Sequence, residues 1–394
     1  MDLSRLIRFI WHAFMFAADH LVFLVPPREI ARSSDVLIIK PDKLGDFVVW
    51  LDAASEYRNC FKGRKLVLVL DQSLASLAEE VGIFDEIIPF SFSKFGENIL
   101  YRLKTLVWLR RRGFYAIVAI SRSFRYVDVM VRFASSIEKI GPNGNEAMIP
   151  TQPELRFSNK WYSKIIDLKK RRETNAFELN LSFVKALGSK FRDPRLPILD
   201  KLAGRASNKL IGASYAVFVL GAASSLRRWP VESFALLAKR FLCETPYFIV
   251  LVGTPSERLL AQRFVSMLGR IDRGRVIDET GKTDLMDLVS LLSKSICVVS
   301  NETGSLHLAA AVGTPSVCIA GGGDFGHLVP YPEVLDTCER PIPITVCEKM
   351  SCFGCGWKCI YDLKNGAPAP CVSAVSVDAV WKALTDALKL NRNK

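Results

Sequence analysis

A chain of 394 residues is too long for one ordinary hydrophobic core and fits two domains of common size. Its 49% hydrophobic and 24% charged content is that of a globular protein and excludes disordered and collagen-like classes. The net charge of +13 calls for an acidic partner, and without a motif of DNA or RNA recognition that partner is expected to be a phosphorylated substrate or an anionic membrane face, not nucleic acid.

Residues 1–33 stand apart from the rest of the chain. Leu6 to Val25 is as long as a membrane span, but Arg8, His12, Asp19 and His20 interrupt it, and charge at span depth is expensive. An amphipathic helix lying in the membrane plane fits better, with Arg5 and Arg8 at the headgroups and Trp11, Phe14 and Phe16 in the acyl boundary; a helix packed on the protein body is the plainer alternative. From Asp35 short apolar runs alternate with helical stretches. Val36–Ile39, Leu66–Leu70, Glu86–Pro89 and Tyr115–Ile120 read as strands; Phe47–Tyr57, Ser73–Val81 and Ile99–Arg112 read as helices. Uninterrupted apolar strands alternating with helices demand a parallel sheet covered on both faces.

The pattern breaks around Phe191–Pro197 and stays polar to about Asn208, where a hinge is expected. It then resumes with strands at Ala216–Leu220, Phe248–Val252, Arg275–Ile277, Cys297–Val299 and Ser316–Ala320. Each of three strands ends in turn chemistry: Gly221-Ala222-Ala223-Ser224-Ser225-Leu226-Arg227-Arg228-Trp229-Pro230, Gly253-Thr254-Pro255-Ser256-Glu257, and Ser300-Asn301-Glu302-Thr303-Gly304-Ser305. The third feeds a helix through a tight glycine-containing turn. Such a turn leaves backbone N–H groups directed out of a helix N-terminus, a site for phosphate.

Ten cysteines without a recognisable cleavable signal peptide point to a reducing compartment, expected to be the cytosol. Five fall between Cys347 and Cys371. Cys347, Cys352, Cys355 and Cys359 are close enough to make a structural zinc or iron–sulfur site a candidate, although the spacing is not that of a zinc ribbon; buried or redox-labile thiols closing a loop are the alternative.

The stretch Val298–Ala311, with Gly313-Thr314-Pro315 and a strand after it, resembles the nucleotide-sugar signature of glycosyltransferase family 9, the lipopolysaccharide heptosyltransferases; Arg-Arg-Trp-Pro after a serine-rich turn and Gly45-Asp46 after the first strand fit the same family. The resemblance implies an α/β GT-B fold, two Rossmann-like doubly wound domains facing a central cleft, preceded by the N-terminal amphipathic helix. Segment 1–33 would associate with the membrane, 34–195 would receive the acceptor, and 196–375 would bind the nucleotide sugar and contain the cysteine-rich segment 347–371. A helix at 376–394 would cross back to the first domain. It further implies an inverting, metal-independent transfer of heptose from ADP-heptose to a lipid-linked inner core, with no cofactor required, by a protein peripheral on the cytoplasmic membrane face.

In that reading Asp46 takes the acceptor's proton, with helix capping its plainer role and Asp42 the rival base. Ser224, Ser225 and Arg227 hold the donor's diphosphate together with Thr303, Gly304 and Ser305, and His307 donates to phosphate or sugar. Thr254 and Glu257 lie near the ribose, Thr283 near the base, Glu302 near the sugar, and Lys43 contacts the acceptor's acidic groups or is solvated. Two departures stand out: Glu302 replaces the family's usual Asp, and Gly321-Gly322-Gly323-Asp324 replaces a less glycine-rich loop, a change expected to add flexibility near the sugar. The basic runs Arg110–Arg112 and Lys169–Arg172 would form a basic face for an acidic acceptor or be solvated surface. A transferase of the same fold with another donor, and a non-catalytic nucleotide-sugar binding protein, are the competing functions.

Overall fold

The computed structural model describes residues 10–11, 14–27, 35–122, 125–144, 157–202, 214–335, 340–363 and 366–392. Arg5, Arg8 and His12, and the hinge beyond residue 202, lie outside these. The described residues form two compact units, each built on a wholly parallel six-stranded sheet, so the α/β expectation holds.

The first unit comprises the described residues up to Asp42, Ser55–Lys170 and Ser182–Phe191. Its strands are β1 (Val36–Lys40), β2 (Leu66–Asp71), β3 (Glu86–Phe90), β4 (Phe114–Ala119), β5 (Ser136–Pro142) and β6 (Lys164–Ile166), in the order β3-β2-β1-β4-β5-β6. Every residue of β1 is buried, as a central strand covered on both faces requires. The four strands expected from sequence are present to within a residue at either end. The two missed, β5 and β6, lie at one side of the sheet: β5 carries Glu138 and Lys139 among its apolar residues, and β6 is three residues long. Helix Ile99–Arg112 has the bounds its periodicity predicts, capped at its start by Asn98, whose Oδ1 accepts from the Tyr101 N–H at 2.9 Å.

The N-terminal segment packs on this unit. Residues 14–19 are helical and continue into a 3-10 turn at His20–Leu24. Asp19 is fully buried and receives both arms of Arg102, Nε and Nη2 each at 2.6 Å, while Met15 and Val22 enter the core. Phe16 stacks on Trp161 and is half-buried. The opposite side leaves Ile10, Phe14, Leu21 and Leu24 exposed. Both features of the segment's sequence are thus present: the docked face of the plainer reading and an apolar outer face. No described helix is long and apolar enough to cross a membrane.

The second unit comprises Lys43–Ala54, Arg171–Leu181 and the described residues from Arg192 onward. Its strands are β7 (Tyr215–Val219), β8 (Phe248–Leu251), β9 (Val276–Asp278), β10 (Cys297–Asn301), β11 (Ser316–Ile319) and β12 (Ile344–Val346), in the order β12-β11-β10-β7-β8-β9. β12, unforeseen in the sequence, is a three-residue edge strand. Read from β9, this is the same doubly wound order as in the first unit, so the chain reverses direction across the sheet between β7 and β10. The loops leaving the carboxyl ends of those two strands diverge there, which is where open α/β sheets bind ligands. The final helix, Val377–Arg392, expected to cross back, packs Val380, Trp381, Leu384 and Ala387 into this unit's core.

One ion pair anchors the N-terminal segment, and removing one partner of a buried pair strands the other charge. Asp19→Ala is expected to lower stability by about 3 kcal/mol, read by urea denaturation, and to expose residues 14–24 to limited proteolysis before the rest of the chain.

Candidate active site

At the reversal point, Asn301 ends β10 fully buried. Its side-chain oxygen accepts from the Trp229 N–H at 2.8 Å, and its amide nitrogen donates to the Leu220 and Gly221 carbonyls at 2.9 and 3.1 Å. One side chain therefore fixes the loop after β7 against the loop after β10. Trp229 adds Nε1–H to the Val375 carbonyl at 2.9 Å. In the β7 loop, Ser224 caps a 3-10 turn by accepting from the Leu226 N–H, and Ser225 begins the turn. Arg228 donates through Nε and Nη2 to the Ala222 carbonyl, a structural task, whereas Arg227 turns toward Glu302, Nη1 to Oε1 being 4.0 Å.

The β10 loop ends in Thr303, which caps the helix Gly304–Ala311 and shares a hydroxyl hydrogen bond with Ser300 at 3.0 Å; Gly304 and Ser305 form the helix start. Against this start lies the beginning of helix Leu44–Ser55. A β-carbon on Gly304 would lie 2.7 Å from the Leu44 side chain, and one on Gly45 2.9 Å from the His307 ring, so two glycines allow the two helix starts to touch. Val49 of the first helix packs with Leu306 and Ala310 of the second. These contacts place the Asp46 helix in the second unit, although the strand before it belongs to the first. His307 is enclosed, not directed outward: it is buried, stacks on Tyr331, and shares a 2.6 Å hydrogen bond from Nδ1 to the Tyr331 hydroxyl. Burial brings its pKa down to about 4, so the ring is neutral near pH 7.

Asp46, in the first turn of its helix, lies 3.8 Å from Arg171 Nη1. Arg171 directs its fork mainly at buried Asp324, Nη2 at 2.7 Å and Nε at 3.1 Å to Oδ2. Asp42, the rival base, is bound by buried Lys40 at 2.6 Å. His327, beside this group, has its pKa brought down to about 4 by burial and then by the Arg171 charge. Glu302 is fully enclosed; burial pushes its carboxyl up to about 7, Arg227 opposing and Asp324 reinforcing the rise, with Arg171 and Asp46 also within electrostatic reach. Glu302, Arg227, Asp324, Arg171 and Asp46 therefore share one field.

Three buried polar atoms here make no hydrogen bond: Arg227 Nε, Glu302 Oε2 and Trp357 Nε1. Trp357 joins the group because its ring lies under the Arg227 guanidinium, 5.1 Å from Cζ to the ring centroid. Unsatisfied buried groups are costly, and several at one place mark a site shaped for a ligand that supplies the missing partners.

The remaining expected residues fall nearby or apart. The Glu257 carboxylate accepts from the Thr254 N–H at 2.7 Å and lies over Gly221 and Gly253, at the ends of β7 and β8. Thr283 is half-buried, directly before Asp284, the cap of the next helix. Lys43 is exposed. Cys347, Cys352, Cys355 and Cys359 are half-buried thiols, and among the described residues no three His, Cys, Asp or Glu side chains are arranged to hold a metal ion. The Gly321–Gly323 run is tightly packed instead of loose: β-carbons there would lie within 2.8 Å of Val372, Phe353 or Trp357.

The model of glycosyltransferase family 9 (heptosyltransferase) matches residues 145–354, more than half of the chain. The chain belongs to glycosyltransferase family 9. Among curated proteins, this family 9 chain is similar to lipooligosaccharide heptosyltransferase 2 of Haemophilus ducreyi, 32% identical over 94 residues, 24% of the chain and 27% of that protein. It is also similar to lipopolysaccharide heptosyltransferase 1 of Pseudomonas aeruginosa, 22% identical over 326 residues, 80% of the chain and 87% of that protein. The first match thus spans about a quarter of its relative's length, the second most of it. Among solved structures, the E. coli ADP-heptose lps heptosyltransferase II has a TM-score of 0.65 at 16% identity, over 91% of this chain and 99% of that one, a likeness of fold that identifies the GT-B class.

Sequence reasoning missed four residues of this candidate site. Asn301 and Asp324 stood inside recognised motifs without a role. Arg171 was one of four consecutive basic residues, and nothing local distinguishes it from its neighbours. Trp357 lies in the cysteine-rich segment, whose sequence carries no local mark of a tryptophan role.

Asn301→Ala would leave the Trp229 N–H and two carbonyls unmatched and is expected to cost about 3 kcal/mol of stability, measured by chemical denaturation. Glu302 binds its proton more tightly folded than unfolded, so between about pH 4.5 and 7 its contribution to stability falls as pH rises. Glu302→Gln lacks this loss; the stability difference between variant and wild type is expected to move in the variant's favour by on the order of 3 kcal/mol across that window. The downward shifts of His307 and His327 act in the opposite direction but are common to both proteins. Parallel denaturation series at stepped pH measure the difference.

Proposed function

We propose that the protein is an inverting glycosyltransferase that moves a heptosyl group from ADP-heptose to a lipopolysaccharide inner-core acceptor. The observation that carries the reading is the set of unmatched buried polar atoms around Arg227 and Glu302 at the reversal point of the second sheet, beside the Thr303–Ser305 helix start. A sugar diphosphate would supply anionic oxygens to the guanidinium and to that turn, and sugar hydroxyls to the carboxyl. The names of the relatives, heptosyltransferases of lipopolysaccharide and lipooligosaccharide and an ADP-heptose enzyme, support the donor and acceptor classes.

In this mechanism the acceptor oxygen bonds to the anomeric carbon from the face opposite the diphosphate, the bond from that carbon to the diphosphate oxygen breaks, and ADP departs. Asp46 takes the acceptor hydroxyl's proton. Its distance of 3.8 Å from Arg171 suits that task, since the guanidinium gives its short contacts to Asp324 and does not clamp Asp46. Arg227 and the Thr303–Ser305 N–H groups stabilise the charge that builds on the leaving phosphate, the work a divalent metal does in other transferases. Glu257 would accept from ribose hydroxyls and Thr283 would lie near the base; Ser224 and Ser225 would support the diphosphate, and Lys43 the acceptor. The exposed apolar face of Ile10, Phe14, Leu21 and Leu24 would hold the protein at the cytoplasmic membrane surface, where a lipid-linked acceptor is presented.

A screen of sugar nucleotides read by product mass identifies the donor, with heptose transfer and ADP release expected and unaffected by chelators. Asp46→Asn is expected to lower kcat by about a thousandfold with ADP affinity unchanged. Arg227→Ala is expected to weaken ADP binding about tenfold or more. Consumption of a different sugar nucleotide would overturn the donor, and an unaltered kcat in Asp46→Asn would overturn the base.

A further inference from the structure

The cysteine-rich segment has no part in the transfer mechanism, yet it is built tightly onto the donor side of the second unit. The Gly354 and Gly356 N–H groups donate to the Gly322 and Gly323 carbonyls, each at 2.7 Å, and the Gly322 N–H donates to Cys371 Sγ at 3.3 Å. A β-carbon on Gly322 would lie 2.2 Å from the Phe353 ring, and one on Gly323 2.2 Å from the Trp357 ring. The glycine run thus exists so that two aromatic rings can lie directly on the backbone that leads to Asp324.

Trp357 has a φ of +60°, the only non-glycine residue with positive φ among those described. That conformation is uncommon for a bulky residue and persists only where surrounding packing imposes it. Its result is specific. The ring lies under the Arg227 guanidinium, and the indole N–H is buried without an acceptor, as is the Arg227 Nε–H. A tryptophan serving only as a platform for the arginine would lose nothing by turning this donor to water. Burying it without a partner costs about as much as the stacking contributes.

We infer that Trp357 is a donor-binding residue, its indole N–H and the Arg227 Nε–H together donating to phosphate oxygens of the nucleotide diphosphate, and that the cysteine-rich segment is the scaffold that presents it. The inference rests on the reading of Arg227 as the diphosphate holder. It assigns a role to a tryptophan that the chemistry of transfer alone does not require. The ligand class is a nucleoside diphosphate, with the phosphates and not the nucleoside as the group recognised.

The test titrates full-length wild type, Trp357→Phe and Trp357→Tyr with ADP and with adenosine by calorimetry. Both variants retain a ring for Arg227 and lack the N–H. Each is expected to bind ADP about tenfold more weakly or worse, to bind adenosine as wild type does, and to melt at an unchanged temperature without ligand. In wild type labelled with 15N at its seven tryptophans, ADP is expected to shift one indole N–H resonance, the one absent from Trp357→Phe. Equal ADP affinity in the variants, or an equal loss toward adenosine, would overturn the assignment of Trp357 and leave the Arg227 site standing. A wild type that does not bind ADP would overturn the site itself. Should either variant unfold, the wild-type spectrum decides, because no shifted indole on ADP addition overturns the proposal.

Discussion

A single buried amide carries the arrangement on which everything else in the second unit depends. Asn301 is at the end of a strand whose own ladder is complete, and it uses its side chain as a further piece of backbone, answering one donor and two acceptors on the neighbouring loop. Hydrophobic packing alone would leave those loops apart, since they leave the sheet at the point where the chain reverses direction. The amide fixes their separation, and with it the spacing between Arg227 on one loop and Glu302 on the other. Buried polar links of this kind add little net stability when satisfied but permit only one geometry, because every displaced alternative leaves a polar group unmatched.

Around that link the site concentrates charge where water is excluded. Three carboxylates and two guanidiniums lie within one another's field, and the fold resolves the conflict by giving each a different environment. Asp324 takes the short contacts of Arg171, Asp46 keeps partial exposure, and Glu302, deepest of the three, has its pKa pushed up to about 7 by burial. The neutral His307, paired with Tyr331, is a spacer between helix starts and adds no charge to the balance. On the proposed reading, the polarity that would receive a diphosphate is installed before any ligand arrives, the condition under which electrostatic stabilisation is most effective.

The sheets were legible in the sequence because their central strands contain continuous apolar runs, such as Val36–Ile39 and Cys297–Val299, as strands of a doubly covered parallel sheet require. Three strands, β5, β6 and β12, were not. Lys164–Ile166 and Ile344–Val346 are too short to show a period, and Ser136–Pro142 mixes charge into its pattern. At the candidate site, Thr303 to Ser305 could be picked out by their local strand-turn-helix text, and Arg227 by the family resemblance of the Arg-Arg-Trp-Pro run. Arg171 and Trp357 could not, since each reaches the site through packing between segments distant in the chain, and Arg171 is locally identical to its neighbours. The glycine run at 321–323 has the opposite sense to the one its composition suggests: missing side chains there make room for rings from thirty residues away and do not loosen the backbone.

The contact between Gly45 and His307, and between Gly304 and Leu44, ties the helix carrying Asp46 to the unit that carries Arg227. If Asp46 and Arg227 act as proposed, the spacing of proton acceptor and leaving group would be set within one folded body. On the proposed reading, lineages of this chain could remodel the sheet β1 to β6 to suit another saccharide without retuning the chemical step, which would make acceptor preference and reaction geometry separately evolvable traits.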